Sequence, residues 1–218
     1  MTKQEIAIQF IKDKQYEEAA KLLVELIEDQ PEDPINYINF GNLLEITNQI
    51  EEAERFFLKA IELDENSATA FVSLGNLYFN QKLYDQAEKM LKHAIHLGVN
   101  DGETFYLLGM VYYKQKQLML SIPFLQRAVE LTDDVEKMFQ YGLALAQVNY
   151  LKEAKEVFVK VIDKEHSHAD ANYNLGIIYV REEKWEEALE YLNRALVHQP
   201  DHKMAKQARE NVLTMIDR

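Results

Sequence analysis

Cysteine is absent from the 218 residues, which removes disulfides, thiolate metal sites and a cysteine nucleophile together. That absence fits a cytoplasmic setting. Glycine occurs only seven times and proline four. So few glycines leave little room for the phosphate-cradling loops that nucleotide-binding α/β enzymes need. Positive charge is also scarce: 24 Lys and Arg stand against 37 Asp and Glu, a formal net charge of −13. This balance argues against nucleic acid as a partner, because phosphate binding depends on clustered cations. No apolar run is long enough to span a bilayer, and residues 1–10 lack the basic start and apolar stretch of a secretory signal. The expected product is soluble and uncleaved, with no membrane partner.

Hydrophobic residues make up 47% of the chain, so a sizeable core can form, and their arrangement is periodic. Gly41, Gly75, Gly109, Gly142 and Gly176 follow one another at steps of 34, 34, 33 and 34 residues. Twelve residues after each stands a small side chain: Ala53, Ala87, Ser121, Ala154 and Ala188. One period earlier, Ala7 and Ala19 take the same two slots, giving six repeats. A large apolar column precedes the glycines (Phe40, Leu74, Leu108, Tyr141, Leu175), and another follows as Phe57, Leu91, Leu125, Phe158 and Leu192. Ala60, Ala94, Ala128 and Ala195 form a second small column, interrupted by Val161. Within each repeat the apolar spacings of three and four predict two amphipathic helices, A and B, and no strand.

Boundary residues agree with this division. Thr2 and Glu5 form a capping-box pattern, Asp33 followed by Pro34 is a helix start, and Ser67 and Asp101 occupy the matching slot. Gly98 is placed to end a B helix in the left-handed conformation, and Gly102 lies at the next boundary. Small residues in the two columns let backbones approach closely, while the large columns fill the layers between helices. The predicted segments are residues 1–33, 34–67, 68–101, 102–134, 135–168 and 169–202, in one continuous domain. Residues 203–218 read as a capping helix, with Met204, Ala205, Ala208, Val212 and Met215 on one face and Lys203, Lys206, Arg209 and Arg218 elsewhere.

On these columns the sequence resembles the tetratricopeptide repeat family. Phe71, Leu74, Gly75, Tyr78, Ala87, Leu91 and Ala94 meet its pattern closely, as do Phe105, Leu108, Gly109, Tyr112, Ser121, Leu125 and Ala128. The pattern's terminal proline survives as Pro31 and Pro200. The resemblance covers about residues 1 to 202 and implies an all-α, right-handed superhelical solenoid of six helix-turn-helix repeats plus the cap. A 35-residue RNA-reading repeat fits the period less well and is usually basic.

Catalytic chemistry finds little support. The acidic pairs Glu17-Glu18, Glu51-Glu52 and Glu186-Glu187 fall in the first turn of B helices, where they favour the helix dipole. His93 with His96, and His166 with His168 and Asp170, are two weak metal constellations; neither is a specific full ligand set, and polar surface histidines are the plainer reading. No phosphate-loop, zinc-protease or serine-elbow motif occurs. A non-enzymatic chain without cofactor or metal is expected.

The resemblance implies a concave, partner-binding surface lined by A helices. It maps to Asn39, Asn42 and Glu45; to Ser73, Asn76, Phe79 and Asn80; and to Tyr106, Met110, Tyr113 and Lys114. Further along it maps to Phe139, Gln140, Leu143 and Gln147, then to Tyr173, Asn174, Ile177 and Arg181. Amides can bond a peptide backbone and aromatic rings can hold apolar side chains. Residues 1–67 carry sixteen acidic and six basic side chains, whereas 68–168 carry twelve and eleven. The groove is therefore expected to centre on repeats three to five, around Phe79, Tyr106, Tyr113 and Phe139, unless these rings pack between A helices.

The family's two-carboxylate clamp for acidic chaperone tails is not met. Its slots from the second repeat hold Ile38, Asn42, Ser73, Glu103 and Leu107, of which Asn42 alone matches. In the fourth repeat, Leu118, Met119 and Leu120 replace the usual charged helix start, and Pro123 should bend the helix. Met119 and Leu120 form a candidate secondary surface for self-association, with local repacking as the alternative. The expected function is a protein-protein interaction scaffold or adaptor that binds an extended or helical segment in the groove. A sensor whose curvature changes on binding a signalling peptide is the alternative.

Overall fold

The computed structural model describes residues 1–216, and every regular element among them is a helix. In chain order these are α1 (Lys3–Lys12), α2 (Tyr16–Asp29), α3 (Pro34–Ile46), α4 (Ile50–Leu63), α5 (Ala68–Asn80), α6 (Tyr84–His96) and α7 (Gly102–Lys114). There follow α8 (Leu118–Thr132), α9 (Val135–Gln147), α10 (Leu151–Lys164), α11 (Ala169–Arg181), α12 (Trp185–His198) and α13 (Lys203–Ile216). Odd-numbered helices up to α11 are the expected A helices, even-numbered ones the B helices, and α13 is the cap. Arg218, expected on the polar side of that cap, lies outside the described residues.

The two kinds of helix start differently. A helices are capped by side chains: Thr2 and Glu5 form the capping box, Asp33 accepts from the Ile35 amide at 3.0 Å, and Asp101 accepts from Thr104 at 2.8 Å. Asp134 and His168 do the same for α9 and α11. Ser67 is positioned at a helix start but makes no such bond. The B helices have no side-chain cap, and the glutamate pairs sit in the first turn of α2, α4 and α12, where their charge opposes the dipole of the free amides.

Each A-to-B turn contains one left-handed residue, Lys14, Asn48, Lys82, Lys116, Asn149 or Glu183, with φ between 56° and 66°. The next amide then reaches back across the helix end, as from Gln15 to the Phe10 carbonyl and from Leu83 to Tyr78, both at 2.8 Å. This is the Schellman geometry, made here without glycine. Gly98 does take the expected left-handed cap, at φ 100°.

The periodic glycines have another purpose. A Cβ at Gly75 would stand 2.8 Å from Leu91 Cγ, and one at Gly142 would stand 2.7 Å from Phe158 Cε1. Gly41 and Gly176 face Phe57 and Leu192 in the same way. The large B-helix column therefore lies directly on the glycine column, and those four B-helix side chains are fully buried.

The chain divides into two compact units, Met1–Gln115 and Lys116–Arg218. The boundary falls between the A and B helices of the fourth repeat.

In the first unit, consecutive repeats are tied by buried polar bonds. Asn36 is fully buried, donates to the Leu26 carbonyl at 3.1 Å and accepts from Gln4 at 3.0 Å. Tyr78 donates to Glu54 at 2.6 Å and Tyr112 to Glu88 at 3.1 Å. Burial, then the carboxylate bond, raises both phenols, that of Tyr112 to about 12.

In the second unit the same 24-residue step places Lys155 over the Tyr179 ring, 5.1 Å from its centroid, while the ammonium bonds Glu182 at 2.9 Å. Helix α8 runs through Pro123 without ending. Proline supplies no amide there, so the Met119 carbonyl lacks its intrahelical donor. At the C-terminal end, α13 packs on α12 and α11 through Ala205 and Val212. Its N-cap is the buried His202, whose Nδ1 accepts from the Ala205 amide at 3.1 Å. Met204 and Met215, expected on the buried face, are exposed. They sit roughly 60–100° round the helix from Ala205 and Val212, at the edge of a narrow contact.

Candidate functional site

In the first unit α1, α3, α5 and α7 lie side by side, so their unpacked positions form one face. Glu45 on α3 organises part of it, accepting from Asn80 at 2.8 Å and Asn76 at 3.3 Å, both on α5. The Asn39 Nδ2 is buried with no hydrogen-bond partner among the described residues. Asn42, Ser73, Phe79, Tyr106 and Tyr113 are half-buried, whereas Lys114 is exposed. Phe79 leans towards Tyr84 with ring centroids 5.9 Å apart.

Met110 was expected on this face but is 7% exposed. An unbranched thioether on α7 fills the layer instead of projecting from it.

In the second unit a cleft of about 390 Å³ lies along the A helices α9 and α11. Leu143 and Ile177 supply aliphatic surface, and Gln147, Asn174 and Arg181 supply polar groups. All five were mapped to the A-helix surface from sequence. Asn174 donates its amide to the Asp170 carbonyl at 2.8 Å, which orients its side-chain oxygen. Gln140 lies nearby in sequence but bonds Glu136 on its own helix at 2.8 Å. Ala146, Asn149 and Leu151 also line the cleft and were missed; Asn149 and Leu151 come from the turn and the next helix start, outside an A-helix map.

Phe139 is the main correction, because it is 8% exposed and cannot anchor a groove. Its ring centroid lies 4.6 Å from that of His168 and 5.8 Å from that of Phe158. Tyr173, one period later, likewise packs against His202 at 5.0 Å, and burial raises its phenol. This column faces the N-cap of the following helix. Its aromatic character serves the junction between repeats.

The histidines have local structural partners. His93 packs on Phe71 at 4.2 Å, His166 contacts the Ile162 carbonyl, and His168 caps α11. Among the described residues no group of three or more His, Asp or Glu side chains is arranged to hold a metal ion. No helix among them is long and apolar enough to cross a membrane. Met119 and Leu120 are 57% and 52% exposed at the start of α8.

Comparison with known proteins gives the family. Sequence profiles described as Tetratricopeptide repeat match residues 36–67, 56–89, 102–134 and 169–202, together more than half the chain. The solved structure of YrrB, described as "a TPR protein with an unusual peptide-binding site", is 43% identical with a TM-score of 0.83. The likeness covers 88% of this chain and 99% of that one. PilF of Pseudomonas aeruginosa is 15% identical with a TM-score of 0.81, covering 96% of each chain, which speaks for the fold alone. The Homo sapiens Protein O-mannosyl-transferase TMTC3 is 32% identical over 82 residues, 37% of this chain and 9% of TMTC3. This chain thus matches less than a tenth of that relative's length. With the glycine layers, the paired helices and the matched profiles in agreement, the chain belongs to the tetratricopeptide repeat family.

Proposed function

We propose that the chain is a non-enzymatic interaction scaffold or adaptor, acting in a cytoplasmic setting, that takes a segment of a protein on its A-helix face. The observation that carries this reading is the α9–α11 cleft. Leu143 and Ile177 offer an apolar seat, while Asn174 presents an oriented oxygen and Arg181 an exposed cation without an ion-pair partner among the described residues. Such a site suits an aliphatic side chain with a carboxylate close by, held by burial and a charge-assisted hydrogen bond. The Asn76 and Asn80 amides, held by Glu45, extend the same chemistry in the first unit. Peptide binding by a protein 43% identical to this one supports the reading.

An array of random peptides provides the test. Peptides selected on the wild-type chain should bind the Ile177→Glu, Leu143→Glu variant at least about tenfold more weakly, because an introduced carboxylate desolvates poorly and repels an acidic ligand. Unchanged affinity would remove the cleft from the proposal. Met119 and Leu120 are proposed as a second surface, for self-association, on the strength of their exposure next to a proline-interrupted helix.

A further inference from the structure

The second unit also holds a larger cavity, of about 810 Å³, bounded by α8, α9 and α10 on the B-helix side. Met138 and Tyr141 of α9 contribute to it, with Val129 from α8 and Val157 from α10. Two departures from the repeat columns give it its character. Met138 follows Tyr37, Phe71 and Phe105 in its column, so a slender thioether replaces a ring. Tyr141 stands where other repeats have Phe40, Leu74, Leu108 and Leu175, so this repeat alone brings a hydroxyl to that layer.

That phenol is half-buried and makes no hydrogen bond among the described residues; burial raises it first, then the charges of Glu130 and Glu153. Its hydroxyl lines the open cavity, where it is available to accept a hydrogen bond from a ligand.

The rim is predominantly acidic. Glu130, Asp133, Glu153, Glu156 and Asp163 outnumber Lys160 and Lys164. Asp133 is engaged by Lys164 at 2.6 Å, and Glu130 by Arg127 at 3.2 Å and by Gln126 at 3.1 Å. Glu153 and Glu156, one turn apart on α10, have no cationic partner among the described residues.

We propose that this groove is a docking site for an arginine side chain on a basic peptide segment, separate from the A-helix cleft. The guanidinium suits it for three reasons. Its planar fork can donate to two carboxylates and to the Tyr141 oxygen together. Its flat face can stack on the tyrosine ring. Its methylene stem can cover Met138, Val129 and Val157. Charge complementarity selects the occupant: an acidic segment meets a net negative rim, and a neutral apolar one leaves the phenol and carboxylates unanswered.

The test titrates the peptide acetyl-Ala-Arg-Ala-amide into the full chain and follows backbone amide resonances. The citrulline counterpart, which keeps the shape and loses the charge, is titrated in parallel. Saturable shifts confined to α8, α9 and α10 are expected, weakened about tenfold or more by citrulline and by the Glu153→Gln, Glu156→Gln variant. Tyr141→Leu, which installs the residue of repeats three, four and six, should weaken binding about fivefold with helicity retained. Ile177→Glu, in the other cleft, should leave it unchanged. No saturable shift up to about 10 mM, equal binding of the citrulline peptide, or full affinity in the double glutamine variant would overturn the proposal.

Discussion

Replacing Gly142 by alanine should destabilise the second unit, although alanine is the better helix former by about 1 kcal/mol. The new Cβ would meet Phe158 Cε1 at 2.7 Å, Cδ1 at 3.0 Å and Cζ at 3.1 Å. Ordinary carbon contacts lie near 3.5–4.0 Å, so the ring must retreat by roughly 0.8 Å or more. Phe158 has no free space for this: it is fully buried and backed by Phe139. Overpacking of this kind costs about 1–3 kcal/mol. Set against the helix gain, the net loss should be about 0–2 kcal/mol, or a fall in Tm of up to a few degrees. The decisive measurement is a double-mutant cycle with Phe158→Ala, followed by urea denaturation at low temperature and by amide exchange in α9 and α10. Once the ring is gone the clash is gone, and Gly142→Ala should become stabilising by about 0.5–1 kcal/mol. The same sign in both backgrounds, or a coupling below about 0.5 kcal/mol, would refute the idea that the ring is why glycine stands there.

Lys82 is held at φ 60°, so Lys82→Gly should remove about 1–2 kcal/mol of left-handed strain against about 0.5–1 kcal/mol of added chain entropy. A rise in Tm by calorimetry is the expected result, and a fall would show that the lysine side chain has another use. Tyr112 is raised in the folded state, so its contribution is fully present below the unfolded value near 10 and is lost as pH climbs towards about 12. Tyr112→Phe should flatten the alkaline end of the stability profile while costing about 1 kcal/mol at neutral pH for the lost bond to Glu88. His202→Ala removes the cap of α13 and should speed amide exchange in that helix, at a cost of about 1 kcal/mol, with α9 and α10 unaffected. The Met119→Glu, Leu120→Glu variant should sediment as a smaller species than the wild type; an unchanged oligomeric state would eliminate self-association through α8.

Helix positions were legible because the sequence repeats a local instruction. A glycine, a large residue sixteen later and a small residue between them recur in the same order, so a single physical arrangement is written several times. Thr2, Asp33 and Asp101 announced helix starts because a short polar side chain can satisfy free amides only there. The left-handed turn residues were not legible: lysine, asparagine and glutamate occupy them, and none carries the conformational signature that glycine would. The candidate site was half legible. Leu143, Ile177, Asn174 and Arg181 fell on the A-helix face because the family resemblance assigns that face and the repeat columns carry it from one A helix to the next. Phe139 and Met110 were misplaced because spacing gives the direction of a side chain but not how far the neighbouring helix closes over it.

The sequence by itself determined the helical class, the six repeats, the cap and the choice of small residues where helices meet, since these follow from periodicities of a few residues to one repeat. Only the tertiary structure decided which rings are consumed between repeats, that the compact units part within the fourth repeat, and that Tyr141 borders an acidic groove. Those outcomes depend on the distance between helices, which is set by the summed packing of side chains from different repeats and is written in no single segment of the chain.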